Sequence, residues 1–213
     1  MVRNKMKKRN PYEPIIQADL DVYKAPSLDD YKYLEIRFED CTLKATDVHE
    51  FNTCVFKRVT FVGDFSKVSM IDCNFDHCDF SNTTMNESRF HRVIFNACKS
   101  IGISLDRCVW TYVTLNQCNL SYASISDSKW TDVRFNECSL AHSSLFAALL
   151  LHVNFQTVNL THTDFSDTSL KDIDLSSCTI DGIRLSPHLL RGLIVNEHQA
   201  VALVSLLGIE VKE

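Results

Sequence analysis

The sequence predicts an all-β solenoid with four-sided coils, on the strength of two nested periods and one break-free apolar column. Seven cysteines between residues 65 and 185 (Cys73, Cys78, Cys98, Cys108, Cys118, Cys138 and Cys178) share one phase of a five-residue cycle. Two residues after that phase stands a large apolar side chain, from Phe65, Met70 and Phe75 through to Ile180 and Leu185, and only Ser100 interrupts the column. A twenty-residue cycle is superimposed. Cys78, Cys98, Cys118, Cys138 and Cys178 share it, as do Asn96, Asn116 and Asn136, and Trp110 with Trp130. A single pentad cannot bury its own apolar face, so copies must stack, and four pentads close one coil.

Within each pentad two residues face inward, the large one and the small or slender one two places before it; the other three are mostly polar and face out. With 45% apolar and 23% charged residues in 213, the chain can bury a core. All nine cysteines, Cys41 and Cys54 included, fall in the small inward phase, eight of them two places before a large residue and Cys98 two before Ser100, and are predicted to pack inward. Stacked thiols on strands about 4.8 Å apart point in parallel, beyond the roughly 3.8 Å between Cβ atoms that a disulfide prefers. No CxxC pair suggests zinc. A reduced thiol ladder in a cytoplasmic protein is expected, and a serine introduced at Cys118 is expected to lack a partner for its hydroxyl in the dry core.

In chain order, residues 1–33 are predicted to form an N-terminal tail and cap segment. The first ten carry Arg3, Lys5, Lys7, Lys8 and Arg9 with no acid, and no apolar run follows to make a signal peptide or membrane span. This stretch reads as a frayed tail. Without it the balance is 17 basic against 27 acidic side chains, a net of −10 in place of −5. Such an acidic body argues against nucleic acid as a direct ligand. The repeat domain spans 34–187. Its early register shifts twice before Phe65, and a bulge or loop near 49–64 is expected. Residues 188–213 change grammar: Pro187 halts the strands, Asn196 and Gln199 stand as N-cap and N3 of a capping box, and a helix from about Glu197 to Leu207 stops at Gly208. Its apolar residues cover more than one stripe, so one side should plug the solenoid while Leu203, Val204, Leu206 and Leu207 meet a second copy in a homodimer.

The pentads Cys-Asn-Phe-Asp-His, Cys-Asp-Phe-Ser-Asn, Cys-Asn-Leu-Ser-Tyr and Val-Asn-Leu-Thr-His, starting at Cys73, Cys78, Cys118 and Val158, resemble the A(D/N)LXX unit of pentapeptide-repeat proteins over residues 36–185. The resemblance implies a right-handed quadrilateral β-helix with a short C-terminal capping and dimerisation helix. The ending from Gln199 to Val211 resembles that of Qnr-type and MfpA-type members. Those dimerise through this end, mimic duplex DNA and bind type II topoisomerases (DNA gyrase and topoisomerase IV), protecting them from quinolones. The loops that project from the shaft of larger Qnr proteins have no counterpart in residues 65–185.

Thirteen outward acids in that stretch stand against nine Lys and Arg. Between residues 164 and 181 five acids face Lys171 alone, so an acidic, partner-binding face is predicted from Asp127, Asp132, Asp164, Asp167, Asp172, Asp174 and Asp181. The apolar stretch Leu145–Leu151 leaves Phe146, Leu149 and Leu151 outward as a candidate contact. His142 and His162 share a column but find no third metal ligand. The serines fill the repeat grammar and the cysteines fill the core, so no catalytic constellation stands apart from either. The expectation is a non-enzyme without cofactor or metal, binding protein and a copy of itself but neither membrane nor nucleic acid. A structural scaffold for another protein partner is the alternative. An ice- or surface-binding array along Thr84, Ser104, Ser124 and Ser144 is weaker, because Asp164 interrupts it.

Overall fold

Apolar residues five apart can share one interior only if the backbone turns a corner after every pentad. The turn is visible in the backbone: from Lys67 to Asp172 every fifth residue has φ between +49° and +67°. For residues other than glycine this left-handed region costs energy. The cost is offset by ladder hydrogen bonds, since most corner N–H groups donate to a carbonyl of the next coil, as in His77 to Asn96 (2.9 Å) and Gln117 to Asn136 (2.9 Å). Asp or Asn side chains near the corners accept a further N–H two residues on. Asp64 to Ser66, Asp79 to Ser81 and Asp174 to Ser176 are each 2.8 Å, which gives the D/N of the repeat a physical role.

The computed structural model describes residues 10–16, 20–23, 28, 30–45, 49–205 and 208–210. The chain winds into a four-sided β-solenoid of about eight turns with a single short C-terminal helix. The strands Arg89–Asn96, Val109–Asn116 and Lys129–Asn136 pair in parallel at an offset of twenty, stacking Phe90 on Trp110 on Trp130 and Phe95 on Leu115 on Phe135. Single bridges continue the other two sides, through Lys99, Asn119 and Ser139 and through Ser104, Ser124 and Ser144. Aromatic rings run up the shaft face to face: Phe56 and Phe75 at 4.5 Å, Phe75 and Phe95 at 4.8 Å, Trp110 and Trp130 at 5.0 Å. On the outside, Asn136 donates to Asn116 and Asn116 to Asn96, both at 2.8 Å.

One expectation changes at the N-terminal end. The first full coil pairs Lys32 with Glu50, Arg37 with Val55 and Thr42 with Thr60, an offset of eighteen. The next pairs Glu50 with Ser69 at nineteen, and the period reaches twenty at Asp64 and Thr84. Between 49 and 64 the shift is therefore a corner shortened by one residue at Gly63, not the bulge expected there. Gly63, at φ +107°, makes the tighter turn, where a Cβ would press on that of Ala45 at 3.0 Å.

All nine cysteines are free. Eight are buried, while Cys41 is only partly so. Burial pushes the Cys108 thiol up to about 12. The small inward column also admits hydroxyls: Ser128 Oγ donates to Leu105 O (2.9 Å) and Thr163 Oγ1 to Leu140 O (2.8 Å). Cys118 Sγ uses the same kind of acceptor, Phe95 O at 3.5 Å and Asn116 O at 3.3 Å. A serine at 118 thus finds a partner after all, which reverses the expectation from the sequence.

The ladder opens once. Among the described residues no main-chain hydrogen bond joins Leu149–Thr157 to Ser169–Ser177, and Thr157 N–H instead donates to Ser177 Oγ at 3.2 Å. Ser177 is also the first corner after Lys67 to leave the left-handed region. The other two sides stay closed through Leu160 to Thr179 (2.8 Å) and the pairing of Asp164–Phe165 with Arg184–Leu185. Leu150 is half-buried as a result, whereas Phe90, Trp110 and Trp130 in its column are sealed.

Candidate protein-binding surfaces

The twenty-residue register assigns each outward acid to a side or corner. Asp127 and Asp167 share one corner column, and Asp132 and Asp172 share the adjacent one, in each case two coils or about 10 Å apart. Asp164 lies on the side of Ser124 and Ser144, and Asp174 pairs in register with Ile194 on another side. Asp181, two residues past Thr179, lies on the side of Asn159. The seven carboxylates form a girdle around the C-terminal coils and do not share one face.

Their electrostatic states differ too. Asp164 pairs with Arg184 at 3.1 Å. Asp132 stands 3.5 Å from His152 Nδ1 and accepts from the Tyr12 hydroxyl at 3.5 Å. Asp127, Asp167, Asp172, Asp174 and Asp181 are exposed and have no ion-pair partner among the described residues. Hydrogen bonds from Ser176 hold the Asp174 carboxyl below the usual range. At Asp164 burial works upward, yet Ser166 and the nearby Arg184 still leave the carboxyl lowered.

The N-terminal segment 10–16 straps the corner of Asp72, Arg92, Tyr112 and Asp132. Tyr12 packs edge-on to Tyr112 (5.6 Å) beneath the Arg134 guanidinium (3.5 Å), and Ile15 N–H donates to Asp72 at 2.9 Å. The sequence offered no signal for this strap, because its partners lie some sixty to a hundred and twenty residues away. The basic tail at 1–9 lies outside the described residues.

The C-terminal helix, α1, spans Glu197–Val204 and carries the full capping box, Asn196 with Gln199. Its one buried side chain is polar. Gln199 donates to Leu175 O (2.9 Å) and Cys178 O (2.8 Å), tying the helix to two main-chain carbonyls at the end of the shaft. The plug expected from apolar residues is therefore led by a glutamine, with Leu203 packed beside it. Val204 is half-buried, Val201 and Ile209 are more than half exposed, and Leu206 and Leu207 lie outside the described residues. Phe146, Leu149 and Leu151 are 41%, 62% and 53% exposed. Among the described residues no group of three metal-ligating side chains occurs, and no helix is long and apolar enough to cross a membrane.

A family described as the pentapeptide repeat region matches residues 49–125, 68–145 and 128–202. The chain belongs to the pentapeptide-repeat family. Proteins of this family are generally non-enzymatic structural or interaction proteins. No curated protein sequence matches the chain. Among solved structures, a trypsin-treated form of QnrB1, a plasmid-mediated fluoroquinolone resistance protein, is 21% identical over 85% of this chain and 90% of its own, with a TM-score of 0.32. HetL, a pentapeptide repeat protein involved in heterocyst differentiation regulation in the cyanobacterium Nostoc sp. strain PCC 7120, is 12% identical over 79% of this chain and 93% of its own, with a TM-score of 0.42. A pentapeptide repeat protein from the Arabidopsis thaliana thylakoid lumen is 22% identical over 52% of this chain and 70% of its own, with a TM-score of 0.24.

Proposed function

We propose that this pentapeptide-repeat protein is a non-catalytic, homodimeric DNA mimic that binds type II topoisomerases and protects them from quinolones. The observation that carries the reading is the set of five exposed, unpaired carboxylates, Asp127, Asp167, Asp172, Asp174 and Asp181, on the coils next to α1. A basic DNA-binding saddle is attracted to such a girdle, and the exposed Val201 and half-buried Val204 offer an apolar end for a second copy. Charge density sets the strength. Three coils of shaft, about 14 Å, carry five carboxylates where a duplex of that length carries about eight phosphates. The mimicry is partial, and its affinity should fall with salt. The test is gyrase-catalysed supercoiling with ciprofloxacin, with and without purified protein; restored supercoiling supports the reading and an unchanged drug response refutes it.

A second reading, a scaffold for another protein partner, is favoured by the dispersal of the acids over several sides. A uniform polyanion mimic would present one continuous band. Association of the purified protein with topoisomerase fragments, set against its association with other basic proteins, separates the two.

A further inference from the structure

From Ser69 to Lys171 one side of this acidic shaft carries no acid, and Glu50 in the coil before is paired with Lys32 at 2.8 Å. The side is that of the strands Arg89–Asn96, Val109–Asn116, Lys129–Asn136 and Leu149–Leu151, whose outward residues run from Ser69 and Ile71 to Ser169 and Lys171. Three exposed cations stand on it, Arg89, Lys129 and Lys171, and none has an ion-pair partner among the described residues. Four cations on the other sides and corners are neutralised: Arg92 by Asp72, Arg107 by Glu87, Lys99 by Asp79 and Arg184 by Asp164. Between the free cations lie exposed apolar side chains, Val109 at 40%, Leu149 at 62% and Leu151 at 53%. Beside them the open ladder makes a groove of about 390 Å³ that reaches Trp130 and Leu150 in the core.

We propose that this side is a docking surface for an acidic amphipathic helix of a partner protein, laid along the shaft axis. Charge complementarity sets the sign, and spacing sets the conformation. Arg89 and Lys129 share one outward column two coils apart, about 9.6 Å, and Lys171 lies in the other outward column of the same side, that of Thr131 and Leu151. Two turns of α-helix advance about 10.5 Å, so acids seven apart reach Arg89 and Lys129 from one face, with apolar residues over Val109 and Leu149 and Lys171 on the flank. An extended strand covers the same interval in three residues, and residues three apart point to opposite faces. Width excludes a flat partner. Asp127 and Asp167 rim one edge and Asp132 and Asp172 the other, so an anionic bilayer would meet four carboxylates, whereas a helix of about 10–12 Å fits between them. The proposal does not depend on topoisomerase binding, and its contact residues, Arg89, Val109, Lys129 and Leu149, lie outside the acidic girdle that rims them.

The test is fluorescence anisotropy with a labelled synthetic helix carrying glutamate at every seventh position and leucine between. The control peptide has the same composition with its glutamates moved to the opposite face. Saturable binding of the first peptide, weaker by about tenfold for the control and by about tenfold for each of Lys129→Glu and Leu149→Gln, is expected. Both positions are exposed, and circular dichroism confirms that the variants fold. Equal binding of the control, undiminished binding by both variants, or no binding alongside co-sedimentation with phosphatidylserine vesicles would each overturn the assignment.

Discussion

Asp164 and Arg184 are twenty residues apart in the chain and one coil apart in space, where they form an ion pair of 3.1 Å. A count along the chain from 164 to 181 misses this cation, so the acid excess there is smaller by one than it reads in sequence. Arg184 is 70% exposed at its side chain, and such a pair contributes at most about 1 kcal/mol. Arg184→Ala should therefore leave the melting temperature nearly unchanged while sharpening the acidic girdle. If the girdle meets a topoisomerase, a supercoiling titration should show the variant acting at lower concentration than the wild type.

At Cys118 the structure ranks two substitutions. A serine there can donate to Phe95 O or Asn116 O, as Ser128 does to Leu105 O, whereas alanine leaves the site without a donor and with less volume. Cys118→Ser should fall within about 1 kcal/mol of the wild type and be no less stable than Cys118→Ala. Urea unfolding of both decides it; a serine variant clearly below the alanine one would show that the carbonyls cannot accept.

His162 stacks on His142 at 5.0 Å, and His142 on Tyr122 at 4.9 Å. The column ends at Gly182, where a Cβ would collide with the His162 ring. Positive φ is not the reason for glycine, since Tyr122, His142 and His162 adopt it in the same column at 55–62°. Gly182→Ala should cost about 1–2 kcal/mol, and His162→Ala in the same chain should recover most of that. Additive losses in the double variant would contradict the steric account.

The Asp-x-Ser corners make stability acid-sensitive. Hydrogen bonds from Ser66 and Ser176 lower the carboxyls of Asp64 and Asp174; at Asp79 burial opposes the same effect from Ser81 without reversing it. A carboxyl depressed by folding contributes fully above its unfolded value, about 3.9, and loses that contribution as pH falls through the folded value. Thermal melts should hold steady from pH 7 to about 5 and decline below about 4, and Asp64→Asn with Asp174→Asn should flatten the decline.

The pitch, the four sides and the inward columns were legible because a repeat states its geometry many times over. Features stated once were not. Tyr12 gives no sign that its partners are Tyr112, Asp132 and Arg134. The open seam follows apolar centres, Leu170 and Leu175, that keep perfect register, and only the backbone at Ser177 departs. Gln199 was readable as a helix cap but not as the plug for Leu175 and Cys178 carbonyls. The acids were read as a face because a list has no corners; Asp167 and Asp172 are five apart in sequence and stand at adjacent corners of the shaft.

Competition between this protein and duplex DNA for purified gyrase tests the central claim most directly. The wild type should displace labelled DNA in a salt-sensitive manner. The variant Asp167→Lys, Asp172→Lys, Asp174→Lys, Asp181→Lys, altered only at exposed positions without an ion-pair partner among the described residues, should keep the fold by circular dichroism and fail to compete. Displacement by the variant as strong as by the wild type, or none by either, would contradict the account.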